Sequence, residues 1–271
     1  MKKRLSFTEF LSKFYVYILL LVMYAPLLLL IVFSFTDTKI IGKWDGFSLH
    51  LYEALFKDAE IMQAFGNTFL VAISSAVVST ILGTMGAIGI FYSGKRSRAV
   101  MEGISNIPVI NAEIVTALSL TILFVMAGVT FNFITLLIGH VVLTIPFVIL
   151  AVRPKLIQMD PNIYEAALDL GASPVYAFFK VTFPDLLPGI LSGFLMAFTM
   201  SLDDFIITHF TKGAGIDTLS TKIYTEVRKG IKPEMYALST LIFVAVLLLL
   251  ALVNRPTKED IKNKKPVAVN R

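Results

Sequence analysis

Three carboxylates, Glu113, Asp203 and Asp204, border or interrupt stretches that otherwise carry no charge. An ionised side chain at the centre of a bilayer costs about 2.5–3.5 kcal/mol on the insertion scale, so such groups are buried in protein, paired, or set along a watery path. Along a path their chemistry is cation transfer, because a carboxylate replaces the water around an ammonium group. If the helix carrying the aspartates begins at Leu186, Asp203 lies about 26 Å along it, near the outer mouth. Glu113 follows Pro108 and Asn111 and is expected in the inner third of its span. The three would then mark a route from outer vestibule to inner exit. Asp203 and Asp204, about 100° apart on a continuous helix, would not both face it. The competing reading is an outer-interface cap for the aspartates and a structural pairing for Glu113. An aspartyl hydrolase is disfavoured, since its dyad needs facing carboxylates and neighbours on one helix point apart. His50, His140 and His209 are scattered and read as interfacial or packed, so no metal set is expected. With no cysteine, disulfide and thiol chemistry are excluded.

The elements that must position these acids are membrane helices. Hydrophobic residues make up 56% of the 271-residue chain and charged ones 16%, with a mean hydropathy of +0.78. A soluble core of this size does not need so much apolar surface. Counting about 20 apolar residues per crossing, the first span is Phe14 to Thr36 and the second runs from near Gly66 to Tyr92. The charge-free run from Ile114 to Val152 has 39 residues, too many for one helix, and Gly128, Thr130 and Asn132 supply a turn dividing it into two. Leu186 to Phe210 forms a fifth span and Met235 to Val253 a sixth. The first run is too long, and lacks the small-residue cleavage site, for a removable signal peptide, so it reads as an anchor. Gly83, Gly86 and Gly89 in the second span, and Gly189-x3-Gly193 in the fifth, let helices approach closely.

With the N-terminus inside, 16 of the 24 Lys and Arg residues fall on the cytosolic side, as the positive-inside rule asks. Five between Lys212 and Lys232 go against it. The net charge of +5 thus reads as topology, and no nucleic-acid partner is expected. The layout is a cytosolic N-terminus at 1–13, a membrane domain at 14–254, and a charged, disordered cytosolic tail at 255–271.

That orientation puts a polar segment, 153–185, in the cytosol. Asp160-Pro161 reads as an N-cap with proline at the first helical position, and Gly171 as the residue that stops the helix. Ser173-Pro174 repeats the start signal and Pro184 is expected to end the second piece. Two short helices joined by a glycine turn would lie at the membrane face. Ile163, Ala166, Ala167 and Leu170 share one stripe of the first, where the alanines permit close approach by a partner. An ordinary connecting loop with two capped turns is the plainer alternative.

The spacing Glu165-Ala166-Ala167-x3-Gly171-x9-Val181-x-Phe183-Pro184 resembles the EAA-x3-G-x9-I-x-LP signature of ABC-importer permease subunits, with Val181 for Ile and Phe183 for Leu. The resemblance implies that this segment is the coupling helix docking in a groove of a cytosolic ATPase. Trp44-x-Gly46-Phe47-Ser48-Leu49-x2-Tyr52-x2-Leu55-Phe56, followed by Asn67-Thr68, is similar to the outer loop of spermidine/putrescine importer permeases. Ala112-Glu113-Ile114-Val115 is similar to that group's Pro-Glu-Ile-Val, with alanine for proline, and Ser201-Leu202-Asp203-Asp204-Phe205 to its fifth-span pattern.

The resemblance implies an all-α integral membrane protein of six transmembrane helices with the type I ABC importer permease fold. It would form half of a polyamine path in a bacterial inner membrane, with both termini cytosolic. The implied partners are an ABC ATPase dimer, a second permease subunit completing a heterodimer, and an extracytoplasmic polyamine-binding protein. No G-x4-G-K-[ST] phosphate loop is present, so ATP and Mg are expected on the partner ATPase and no cofactor on this chain. The alternatives are import of another small solute (iron, a phosphonate, an opine) by the same class of permease, or ion-coupled secondary transport, which leaves the Glu165 segment without a purpose.

Overall fold

Apolar runs bounded by proline, asparagine and glycine set the order of the helices. A computed structural model describes residues 7–37, 42–230 and 232–253. The expected tail at 255–271 and the first six residues lie outside these. Among the described residues the named elements are helical, and one isolated bridge pairs Thr36 with Phe47. The chain divides into two compact units, 1–59 with 226–271, and 60–225.

In the first unit, α1 (Phe7–Phe33) and α2 (His50–Lys57) both pack on α12 (Glu234–Val253). Phe33 stacks on Tyr236. The aromatic loop between α1 and α2 is folded on itself: Phe35 packs against Phe47 and Tyr52, and the Tyr52 hydroxyl lies 2.8 Å from the Ser34 hydroxyl. Leu51 and Leu55 are buried, while Trp44 and Phe56 remain exposed.

The second unit carries α3 (Ala59–Tyr92) from Glu60 on, α4 (Lys95–Ile110), α5 (Glu113–Met126), α6 (Phe133–Gln158), α7 (Pro161–Asp169), α8 (Pro174–Ala177), α9 (Phe183–Asp203), α10 (Ile206–Thr211) and α11 (Leu219–Lys229) as far as Thr225. α6 packs extensively on α9. Val148 of α6 sits between two glycines: a Cβ on Gly83 would lie 2.7 Å from it, and one on Gly193 3.1 Å. Gly89, by contrast, has open space around it and does no such packing. The division of the long apolar run falls where expected. Gly128 has φ +66°, and Asn132 forms a capping box with Thr135, its side chain accepting from the N–H of Ile134 and of Thr135.

Among the described residues, four helical stretches are long and apolar enough to cross a membrane, namely 13–33, 59–92, 133–158 and 174–203. α4 and α5 meet at a 104° bend and make a fifth if the pair is one crossing, and α12 adds a shorter apolar stretch, Glu234–Leu248, roughly consistent with the six expected. α5 alone has 14 residues, a rise of about 21 Å against a hydrocarbon core of about 30 Å. The third span is therefore broken rather than straight.

Three expectations are corrected. Pro184 does not end a helix. The chain runs from α8 through a π-helical turn, Phe178–Thr182, into α9, so the fifth span begins at Pro174 rather than Leu186. A proline lacks the N–H for an i→i−4 bond and its ring crowds that carbonyl. The widened turn, in which Phe183 N–H donates to Phe178 O, shifts the register where the clash would fall. Glu113 is not part-way along a helix but opens α5, just after the bend. The aspartates, finally, do not share a continuous helix, since α9 stops at Asp203 and Asp204 is extended (φ −61°, ψ 130°).

Candidate functional site

The break after Asp203 gathers the acids. Glu113, Asp203 and Asp204, with Thr199, Met200, Phe205 and Ile206, line one cavity of about 510 Å³. The carboxylates are thus not strung out in depth. The bend before α5 and the end of α9 bring them to a common wall, where the charges of both aspartates act on Glu113. No lysine or arginine is among these lining residues. The C-terminal end of α9 adds the negative pole of its peptide dipoles on the same side. A cation placed here would relieve the mutual repulsion.

The two aspartates play different parts. Asp203 is exposed. Asp204 is buried, and both of its oxygens are occupied: Oδ1 accepts from Ile207 N–H at 3.2 Å, and Oδ2 from Thr208 N–H at 2.8 Å and the Thr208 hydroxyl at 3.0 Å. It caps the first turn of α10, whose N–H groups would be unmet in lipid. The other end of α10 is tied by distant threonines. Thr121 of α5 donates to Phe210 O at 3.1 Å, and Thr135 of α6 to Thr211 O at 2.9 Å. Ile207 is buried with Ala117 and Leu143, and a Cβ on Gly139 would lie 2.7 Å from it. A six-residue helix is therefore held in a cradle of α5 and α6.

His140 was not legible as part of this site. It is fully buried, with Nδ1 2.7 Å from the Ser201 hydroxyl and Nε2 2.9 Å from that of Thr208. Its Nε2 lies 3.6 Å from Asp204 Oδ2. Ser75 of α3 donates to Ser201 at 2.9 Å. Its position in a 39-residue charge-free run was the available signal, because a buried imidazole needs partners for both nitrogens. Which partners it finds depends on α9 and α10. His209, the other histidine here, is exposed and stacks on Phe205.

The Glu165 segment is a separate feature, made of local bonds. Asp160 Oδ1 accepts from Asn162 N–H at 3.0 Å, and Pro161 takes the first helical position. At the far end Gly171 N–H donates to Leu168 O and Ala172 N–H to Ala167 O, a complete Schellman motif with Gly171 at φ +87°. Glu165 and Ala166 are exposed and Ala167 is half-buried. Ile163 and Leu170 are exposed on the same stripe, Leu170 by 90%. Pro184 is exposed at the second position of α9.

Broken membrane helices gathered round an acidic cavity, with a capped polar helix between the spans, define a solute permease of the type I ABC importer fold. The chain belongs to the family of binding-protein-dependent transport system inner membrane components, matched over residues 79–255. It is a transport component rather than an enzyme. It is 36% identical over 231 residues, 83% of this chain and 82% of the relative, to the putrescine transport system permease protein PotI of Escherichia coli. To the spermidine/putrescine transport system permease protein PotC of Haemophilus influenzae it is 33% identical over 251 residues, 93% of this chain and 98% of the relative. In fold it is similar to a chain of a bacterial alginate ABC transporter solved with a periplasmic protein bound to an alginate pentasaccharide. The TM-score is 0.69 at 14% identity, over 92% of this chain and 94% of that one.

Proposed function

We propose that this chain is the permease subunit of an ATP-driven polyamine importer, with the Glu113–Asp203–Asp204 cavity receiving an ammonium group of the passing cation. One observation carries the reading: three carboxylates from two distant parts of the chain line one cavity, with no basic residue among its lining groups. The names of the putrescine and spermidine/putrescine relatives support the same cargo. Asp203 is the direct ligand, since its side chain is exposed while the oxygens of Asp204 are committed to α10.

The capped α7 is the coupling element. Its Ile163–Ala166–Leu170 stripe is apolar and exposed, as a surface meeting an ATPase groove would be. ATP and Mg belong to an ATPase pair on the cytosolic side. A second permease subunit completes the path and an extracytoplasmic polyamine-binding protein delivers the cargo, with both termini of this chain cytosolic. Closure of the ATPases, passed through residues 162–171, shifts the balance of inward- and outward-facing states.

The test is reconstitution of the whole transporter in liposomes with its binding protein and measurement of labelled putrescine and spermidine uptake. Accumulation that requires ATP and falls in Asp203→Asn and Glu113→Gln variants is expected. ATP turnover without polyamine uptake would remove the cargo and keep the transporter. Uptake that survives without ATP but collapses with the proton gradient would replace the mechanism by ion coupling.

A further inference from the structure

We infer that His140 is the positioning residue of the acidic cavity, fixing Asp204 and the break between α9 and α10 through the hydroxyls of Thr208 and Ser201. The inference rests on the reading of the cavity as a polyamine site. His140 is not among the residues that line that cavity, so it acts through its partners.

Hydrogen-bond chemistry gives the network one direction. Taken as a carboxylate, Asp204 only accepts; the Thr208 hydroxyl then donates to Oδ2 at 3.0 Å and takes its own incoming bond from His140 Nε2–H at 2.9 Å. The imidazole is then neutral with its proton on Nε2, and Nδ1 accepts from the Ser201 hydroxyl at 2.7 Å. Ser201 in turn accepts from Ser75 at 2.9 Å. Donors on α3, α9, α6 and α10 thus point in sequence toward one carboxylate. Ser75, His140 and Thr208 are fully buried, and so is all but 1% of the Asp204 side chain.

The two partners of His140 grip the two sides of the break. Ser201 belongs to the last turn of α9, which also carries Asp203, and Thr208 to α10. A histidine between them fixes their separation, and with it the spacing of Asp203 and Asp204 along the wall. Without the imidazole, the Thr208 hydroxyl loses the donor that orients it and can turn to the backbone oxygen of Asp204, 3.5 Å away. Asp204 Oδ2 then keeps one donor in place of two, and the carboxylate is free to rotate. Sites that recognise charge need their groups held within about 0.5 Å, which is what this second layer supplies.

The experiment uses the purified transporter complex without its binding protein, so that the binding protein's own affinity does not mask the membrane site. Putrescine and spermidine are titrated by calorimetry, and thermal unfolding is followed in parallel. His140→Leu keeps the volume and removes both bonds. Weakening of about tenfold is expected, the loss associated with one hydrogen bond to a charged group. His140→Gln, which again offers one acceptor and one donor, should recover most of it. Thr208→Val, which removes the hydroxyl joining His140 to Asp204 and leaves the imidazole itself in place, should weaken binding in the same direction and serves if the leucine variant does not assemble. In an Asp204→Asn background, His140→Leu should add less than about twofold. Lower thermal stability with unchanged cation affinity in His140→Leu and Thr208→Val would make His140 a packing residue and overturn the inference. So would glutamine that rescues nothing. If Asp203→Asn and Glu113→Gln weaken binding while the His140 variants do not, only the role of His140 fails. If the wild-type complex binds neither polyamine, the cavity reading fails and takes this one with it.

Discussion

Two short helices, α7 and α10, solve the same problem in opposite ways. Each has ends whose peptide groups need partners. α7, outside the long apolar stretches, is closed by its neighbours in sequence: Asp160 two residues before Asn162, and Gly171 two past the end of the helix. α10 is closed at its start by Asp204, and at its finish by Thr121 and Thr135, 89 and 76 residues away. Water can complete a poorly capped surface helix, whereas hydrocarbon cannot, so the buried one is tied to the tertiary structure at both ends. A locally closed helix can move as a unit and transmit motion. One stitched to two other helices holds charges in place. The difference suits α7 to coupling and α10 to supporting a site.

The contrast is tested most severely at Gly171. Its φ of +87° is in the left-handed region and nothing lies within 4 Å of the place a Cβ would take, so a substitution acts through the backbone alone. Gly171→Val, costing roughly 1–2 kcal/mol or more in that conformation, is expected to reduce ATP-driven uptake at least about tenfold while leaving membrane insertion intact. Gly171→Asn, tolerated in the left-handed region, should keep most of it. Normal uptake in the valine variant would remove α7 from coupling.

The next effect separates the aspartates. Asp203→Asn should cut polyamine uptake several-fold with an unchanged thermal midpoint, because that side chain is exposed and caps nothing in α10. Asp204→Asn should lower the midpoint, since an amide has one accepting oxygen in place of two and turns its NH2 toward either the Ile207 or the Thr208 donors, a loss of about 1–3 kcal/mol. The reverse pattern would mean that the roles are exchanged.

Gly139→Ala probes the cradle of α10 without altering a polar group. The added methyl would meet Ile207 Cγ2 at 2.7 Å and Thr211 Oγ1 at 3.0 Å, and overpacking of this kind costs about 1–3 kcal/mol. Thermal unfolding in detergent should show it, with Gly89→Ala, inside α3 and in open space, as the control that does not lower the midpoint.

The smallest effect lies in the loop after α10. Burial raises the pKa of Asp217, but the hydrogen bond and charge of Lys212, with help from Thr221 and Lys222, outweigh it and hold the carboxyl below the usual carboxylate range. A depressed folded pKa contributes stability that is present above the unfolded value, near 3.8, and is lost as pH falls through the folded one. Asp217→Asn should therefore lower stability at pH 7, by less than about 1 kcal/mol for so exposed a pair, and the difference should vanish in strong acid. A difference that grows on acidification would contradict this.

Legibility followed the range of the interactions. The turn at Gly128, Thr130 and Asn132 and both ends of α7 were readable because each signal lies within a few residues of the backbone group it serves, though the cap that Asn132 makes for α6 was not read. Pro184 misled because a proline reads as a stop, and only the π-helical turn before it lets the helix continue. The depth assigned to the acids failed for the same reason. It assumed straight helices, and the chain bends by 104° before Glu113 and stops at Asp203.

By itself, then, the sequence determined the membrane class, the apolar runs behind six spans, the capped coupling-type segment and the identity of the acids. These are matters of composition, of period, and of contacts within one turn. Only the tertiary structure decided that Glu113, Asp203 and Asp204 share a cavity, that one aspartate is spent on a helix end, and that His140 stands behind it. Buried polar groups in lipid must be satisfied by whatever packing brings near. Here those partners lie on other helices, 61 and 68 residues further along the chain from His140.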